Sequence, residues 1–270
     1  MSKRHPTPHS STRLAWLGAG VGTLLALITQ APAYWLTQAV ATATADRVLL
    51  QEPRGTVWQG SAQWVLHNAP SSAALPTRVQ WQIAPAIDWP NARLVLRLAI
   101  SSACCTTQPV QVDVSPLWRG VRVAVNDQTS SWPASWMVGL GAPWNTVQPD
   151  GLLQLQTRQL AWSQQSGSQK LQGQAELQLQ QLSTRLSTLN PLGTYRLVLN
   201  SQLYNGNDTM SVKLDTLDGS LRLQGDGRPQ QGRWTFNGEA STAPDAQGAL
   251  SNLLNILGQR RGDKSILKIG

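Results

Sequence analysis

Few side chains in this 270-residue sequence could act as a catalytic base or bind a metal. It has three histidines, and only His67 lies beyond the first nine residues. A Ser-His-Asp site would need His67 as its base, and no Gly-x-Ser-x-Gly turn accompanies it. Spacing alone says nothing about paired carboxylates, but Asp150, Asp218 and Asp226 each stand beside a glycine, as acids in turns do. We therefore expect no enzyme activity, no metal and no cofactor.

The two cysteines, Cys104 and Cys105, are adjacent. Neighbouring thiols cannot connect distant segments, and they lack the spacing of a metal chelate. Two ordinary thiols near the end of a strand are favoured, because bonding neighbours requires a strained ring. The alternative is a vicinal disulfide formed in an oxidising compartment.

Twelve tryptophans accompany a single phenylalanine. Five of the indoles share strand faces with aliphatic or small residues and are expected in the core: Trp58, Trp64, Trp81, Trp162 and Trp234. Three others lie in irregular sequence rich in proline and glycine and form a candidate partner surface: Trp132, Trp136 and Trp144. Stacking on sugar rings is a third use that exposed indoles could have.

A strand motif begins at Gly55 and recurs twice in part. With a period of two, one face carries Trp58, Gly60, Ala62 and Trp64, so two indoles flank two small residues. The same bulky-x-Gly-x-Ala order is found at two later places: Leu171-x-Gly173-x-Ala175 and Phe236-x-Gly238-x-Ala240. We interpret the motif as a structural repeat whose notch is filled by a side chain from another strand.

Alternating apolar residues over 94–100, 110–114 and 121–125 predict antiparallel strands. The alternation changes phase between Leu155 and Leu160, which predicts a bulge near Arg158. Near the end, four leucines return at helical spacing: Leu250, Leu253, Leu254 and Leu257. The predicted fold is therefore mainly β, an antiparallel sheet or sandwich of repeated hairpins with a short C-terminal amphipathic helix.

The N-terminus has the pattern of a membrane anchor. Residues 1–13 form a basic tail without an acid, and residues 14–36 carry no charge. Because about 20 apolar residues cross a bilayer as a helix, 14–36 is predicted to be a single transmembrane helix with a cytoplasmic N-terminus. The sequence Ala31-Pro32-Ala33 leaves a cleavable signal peptide as the alternative. Residues 37–270 then form one periplasmic β domain, with possible halves at 37–149 and 150–270.

The formal net charge is +8, but charged residues make up only 13% of the chain. The basic residues are dispersed, and no run of Lys or Arg exceeds two. This pattern does not favour nucleic-acid binding.

Several landmarks together resemble the type II secretion system protein N family. Besides the basic tail and the apolar segment, they are Gly55-Thr56-Val57-Trp58-x-Gly60-x-Ala62, Asn190-Pro191-Leu192-Gly193-x-Tyr195, Gly219-x-Leu221-x-Leu223-x-Gly225-x-Gly227, Trp234-x-Phe236-x-Gly238-x-Ala240 and Leu253-Leu254-Asn255-Ile256-Leu257-Gly258-x-Arg260. The resemblance implies a single-pass inner-membrane protein with a periplasmic domain, an accessory component in the export of folded proteins across the outer membrane. It implies contacts with other secretion components and no catalytic residues.

The alternative is an envelope protein of the AsmA-like, lipid-conveying type. Such proteins also consist of repeated hairpins with one apolar face that are attached to a membrane anchor. The Gly/Ala notch would then line a groove for acyl chains.

Overall fold

One continuous antiparallel sheet of sixteen strands makes up most of this protein. The computed structural model describes residues 11–89, 92–204, 207–230 and 233–269, so residues 1–10 of the predicted cytoplasmic tail lie outside it. The strands are β1 (Val48–Gly55), β2 (Gln59–Asn68), β3 (Ser71–Ala74), β4 (Val79–Asp88), β5 (Arg93–Ser102), β6 (Val110–Leu117), β7 (Gly120–Val125), β8 (Gln128–Pro133), β9 (Asp150–Gln165), β10 (Ser168–Ser183), β11 (Gly193–Tyr204), β12 (Asn207–Gly219), β13 (Leu221–Gln230), β14 (Arg233–Thr242), β15 (Gln259–Arg261) and β16 (Lys264–Ile269).

The strands follow each other as a meander, which confirms the predicted mainly β, antiparallel class. Their order in the sheet is β1-β2-β4-β5-β6-β7-β9-β10-β11-β12-β13-β14-β16-β15, with β3 paired to β2 and β8 paired to β9. The sheet runs across the boundary predicted at 149/150, because β9 pairs with both β7 and β8. The two possible halves thus share one hydrogen-bonded sheet.

The helices are few, and most lie at the two ends of the chain. They are α1 (Ser11–Thr29), α2 (Ala33–Ala43), α3 (Trp144–Val147) and α4 (Gln247–Leu257), with 3₁₀ turns at Ala134–Leu140 and Pro244–Ala246. The sequence pattern predicted α4, and its leucines Leu250, Leu253 and Leu254 are buried as the helical spacing requires.

The predicted transmembrane segment 14–36 is not one helix. The first helix ends at Thr29, and α2 begins at Ala33 after Pro32, which lies in extended backbone. Proline suits the start of a helix, because it has no N–H to leave unpaired there. Within the part of the chain that the structure describes, no helix combines the length and the apolarity needed to cross a membrane. A single transmembrane helix over 14–36 is therefore not confirmed.

Apolar side chains follow one face of the sheet from strand to strand. The register places Leu98 opposite Val112, and Val112 opposite Val125. A bulge in β9 keeps the apolar side chains before and after it on the same face of the sheet. At the bulge, Gln159 adopts a φ of 49° and the pairing register shifts opposite Gly173. The bulge predicted near Arg158 is thus confirmed.

The apolar face is closed by helices near both ends of the sheet. Near the first strands, Ala33 of α2 packs with Ala62 and Trp81. Near the last strands, the leucines of α4 pack with buried side chains of β11, β13 and β14 and of the 182–192 segment: Leu182, Leu192, Tyr195, Leu221 and Ala240. The described residues therefore form a buried cluster under a helix near each end of the sheet, and a third cluster around Leu75, Val79 and Cys105.

Glycine is required in the three copies of the motif for three different physical reasons. The indole of Trp81 in β4 fills the notch at Gly60, because a Cβ there would lie 2.5 Å from the ring and 2.5 Å from the Arg54 carbonyl oxygen. Phe236 lies over Gly225 of the neighbouring strand and beside Gly238 of its own strand. Gly173, with a φ of 99°, is required by the backbone of the opposite bulge.

The Gly60 notch provides a stability test. Gly60→Ala should destabilise the fold by about 1–3 kcal/mol, because the added methyl forces the Trp81 ring or the Arg54 carbonyl to move. The matched control is Gly248→Ala in α4, where a Cβ would meet nothing within 4 Å, and helix propensity predicts a gain of up to about 1 kcal/mol. Urea unfolding followed by tryptophan fluorescence measures both, and equal stability of the two variants would show that the notch is not filled as described.

Candidate functional site

The residues that could have done chemistry are dispersed. His67 lies near the end of β2, half-buried and paired with Ser72 of β3. Asp150 caps the amide of Gly151 at the start of β9, and Asp226 lies in the middle of β13. The interpretation of Gly225-Asp226-Gly227 as a turn was wrong, because these glycines make room for the Phe236 ring inside a strand. Among the described residues, no group of three His, Cys, Asp or Glu side chains could hold a metal ion.

Two of the three tryptophans of the candidate partner surface pack into a cluster with Trp64. The ring of Trp136 lies 5.0 Å from that of Trp64, edge to face, and 5.7 Å from that of Trp132, stacked. Trp132, Trp136 and Trp144 are half-buried, not exposed as predicted. The cause is the 3₁₀ turn at Ala134–Leu140, which lies over β2 and β3 and brings the indoles onto Trp64. Partner binding at Trp132, Trp136 and Trp144 stays a prediction.

Cys104 and Cys105 are joined by a disulfide bond in the structure, so neither is a free thiol as the sequence favoured. Cys105 is buried against Leu75 and Val79, beside the tryptophan cluster, whereas Cys104 is exposed. The backbone of the turn is fixed by a hydrogen bond from the Ser131 amide to the Cys105 carbonyl oxygen, 2.8 Å. The pair therefore closes the turn after β5 against β8.

Two polar groups on the sheet are firmly held by partners. Both oxygens of the Asp113 carboxylate, which is 8% exposed, accept hydrogen bonds from Arg97 at 2.7 Å. These bonds raise the pKa of Arg97 above its ordinary value, so the guanidinium stays charged. Burial raises the pKa of Tyr195, whose hydroxyl donates to the Leu221 carbonyl oxygen over 3.0 Å. Both groups link neighbouring parts of the sheet.

The two edges of the sheet are protected against pairing with another strand. The edge strand β1 is interrupted between Gln51 and Arg54, where Glu52 adopts a φ of 48° and Pro53 cannot donate to a ladder. At the other edge, β15 has three residues, two of which are Arg260 and Arg261. Bulges, prolines, charges and short strands are the usual means of preventing edge-to-edge association.

The pairing between β12 and β13 is short for strands of their length, and we call this place the seam. Only three residue pairs join the two strands, Val212–Leu214 with Gly225–Gly227. Beyond them, the hydroxyl of Thr216 replaces the missing strand contact: it donates to the Leu223 carbonyl oxygen over 2.8 Å and accepts from the Leu223 amide over 2.6 Å. The backbone N–H and C=O groups of Leu223 therefore both form hydrogen bonds, although the strands diverge.

A polar cleft of about 720 Å³ opens where the strands of the seam diverge. Its charged lining consists of four acids and two bases: Asp215, Asp218, Glu239, Asp263, Arg222 and Lys264. Lys264 is paired with Glu239 over 2.9 Å, and Gln247 donates to Asp263 over 2.6 Å. Asp218 and Arg222 are exposed in the cleft. Such a surface can recognise a polar or charged segment of another molecule.

Sequence reasoning missed the seam. Alternation predicts that 210–214 and 221–223 are strands, and Asp218-Gly219 indicates a hairpin, but neither signal gives the length of the pairing. The only local sign is Thr216, a residue whose hydroxyl can replace a backbone partner.

The disulfide can be measured directly. Protein isolated without alkylation should contain no free thiol, and its mass should rise by two hydrogen atoms on reduction, because Cys104 and Cys105 are bonded. A count of two free thiols in protein isolated from an oxidising compartment would contradict the bond.

Comparison with known proteins gives one result. The model of the family described as type II secretion system (T2SS), protein N, matches residues 46–266 of the 270 in the chain. No curated protein and no solved structure matches the chain.

Proposed function

Because the chain belongs to the type II secretion system protein N family, we propose that it is a non-enzymatic, accessory inner-membrane component that holds other secretion components through protein contacts. The family supports a part in type II secretion, and the match includes the sheet from β1 to the middle of β16. The partners in this proposal are inner-membrane and periplasmic components of the same system.

The observation that carries the proposal is the seam with its polar cleft. Both edge strands, β1 and β15, are protected against pairing with a strand of a partner. The cleft instead presents side chains, with Arg222 and Asp218 exposed in a cavity of about 720 Å³. Charged groups at the rim of an interface set partner choice and association rate. The cleft is therefore the docking site for a polar segment of a secretion component.

The proposal places α1 in the inner membrane, with the sheet in the periplasm. The large apolar side chains of α1 are exposed: Trp16, Leu17, Val21, Leu24, Leu25, Leu27 and Ile28. The residues before the apolar stretch include three basic ones, Lys3, Arg4 and Arg13, and no acid. This charge distribution favours a cytoplasmic N-terminus. The disulfide fits an oxidising compartment on the other side.

A lipid-conveying role is the second candidate, because the apolar face remains half-buried over the middle strands. Along it lie Val112, Val123, Leu177, Leu197 and Val212. The helices pack elsewhere, α2 on β1 and β2, and α4 on β14, β15 and β16. An apolar strip between two closed ends could take an acyl chain.

The docking proposal is tested at Arg222. Arg222→Glu should lower the recovery of secretion components with the tagged full chain about tenfold, equivalent to roughly 1.4 kcal/mol, because it reverses an exposed charge of the cleft. The matched control is Arg185→Glu, at an arginine that is also exposed and lies in the segment between β10 and β11. Equal recovery of partners with both variants and with the native chain would refute docking at the cleft.

The lipid candidate is tested by crosslinking in bilayers. The full chain is reconstituted with a phosphatidylethanolamine that carries a photoreactive group on its acyl chain, and crosslinked peptides are identified by mass spectrometry. Lipid binding along the apolar face predicts adducts on the middle of β6 and β7, near Val112 and Val123. A pure docking module predicts none there, and Val123→Glu should abolish them if they form in the strip.

A further inference from the structure

Five large apolar side chains are exposed together at the tips of two neighbouring hairpins. In the β4–β5 hairpin, Ile87 is 48% exposed, Trp89 75%, Leu94 69% and Leu96 41%, and in the β6–β7 turn Trp118 is 86% exposed. Ile87 pairs with Leu94, and Leu96 pairs with Val114 of β6, so both tips lie at the same end of adjacent strands. We call these five residues the tip surface. An exposed apolar group of this size marks a contact site.

The first helix is attached at the same end of the sheet. The indole N–H of Trp58 donates to the Ile28 carbonyl oxygen over 2.7 Å, and the Val57 amide donates to the Ala31 carbonyl oxygen over 2.8 Å. The Ile83 amide in turn donates to the Trp58 carbonyl oxygen over 2.6 Å. The β4–β5 hairpin therefore continues past the end of α1, and Ile87 lies about 13 Å further along the strand at ~3.3 Å per residue.

The charges around the tip surface are of the kind that lipid headgroups bind. Arg93 and Arg119 are exposed at the same two tips as Trp89 and Trp118, and Arg93 pairs across the hairpin with Asp88. The nearby Asp88 interacts with Arg97, which also forms the ion pair with Asp113. Tryptophan together with arginine is typical of the interfacial layer of membranes, where the ring meets the acyl boundary and the guanidinium meets phosphate.

We infer that the tip surface, Ile87, Trp89, Leu94, Leu96 and Trp118, inserts into the headgroup layer of the anionic bilayer in which α1 is held. This inference rests on the membrane attachment proposed above and adds the orientation of the sheet to it. The domain is then fixed at two places, by α1 and by the tips. A domain fixed at two places cannot rotate about its connector, so the seam keeps one position relative to the bilayer.

The test uses three tryptophans in one sample of the full chain. The protein is labelled with 5-fluorotryptophan, placed in nanodiscs of phosphatidylethanolamine and phosphatidylglycerol, and its ¹⁹F resonances are assigned with single Trp→Phe variants. A lipid with a nitroxide on its headgroup should remove at least half of the intensity of Trp89 and Trp118. Trp234 is 46% exposed, not in the core as the sequence predicted, and lies near the β13–β14 tip, seven strand steps from β5 across the sheet. It is the matched control and should keep its intensity.

Trp16 of α1, 79% exposed, separates failure of the inference from failure of the membrane attachment. Broadening of Trp16 alone would overturn the tip contact and leave the attachment in place, whereas no broadening of any resonance would overturn both. Equal broadening of Trp89, Trp118 and Trp234 would show general contact and also overturn the proposal. Resonances of Trp89 and Trp118 that ignore the lipid but shift when solubilised secretion components are added would assign the tip surface to a protein partner instead.

Discussion

The contact between Trp81 and Gly60 fixes the N-terminal end of the structure. The indole lies against the glycine of the neighbouring strand, and its N–H donates to the carbonyl oxygens of Val57 and Thr56 at 3.0 and 3.3 Å. One side chain thereby fills the notch and holds the turn between β1 and β2. The same turn binds the end of α1 through Trp58, and α2 packs beside it on Trp81. The position of both helices relative to the sheet therefore depends on this turn and on the two indoles, Trp58 and Trp81, that contact it.

A sheet of this length distributes its stability unevenly. Helices close the apolar face at both ends, where side chains such as Ala62 and Leu254 are fully buried. In the described part of the chain, the middle strands contact the helices little and depend mainly on cross-strand pairs and backbone hydrogen bonds. At the seam even the backbone pairing shortens to three residue pairs. Leu214 of β12 and Leu223 of β13 nevertheless pack against the C-terminal cluster, so side-chain packing accompanies the short backbone pairing at the seam.

The two proposed contacts lie in different regions of the sheet. The tip surface belongs to β4–β7, near α1, while the seam lies between β12 and β13. Six strand steps separate β5 from β12 in the sheet order β5-β6-β7-β9-β10-β11-β12, or about 29 Å at ~4.8 Å per strand. A membrane contact at one region and a partner contact at the other would let the sheet act as a spacer of fixed length.

The sequence by itself determined the fold class, the C-terminal helix, the bulge in β9 and the family. These depend on residue periodicity and on order along the chain, which a sequence carries directly. It did not determine that the chain turns at Pro32, that Trp132 and Trp136 pack on Trp64, or that Asp226 lies within a strand. It also gave no sign of the cleft. Each of these depends on which distant side chain meets a given residue, and only the tertiary structure decides that, because packing partners come from strands far apart in the sequence.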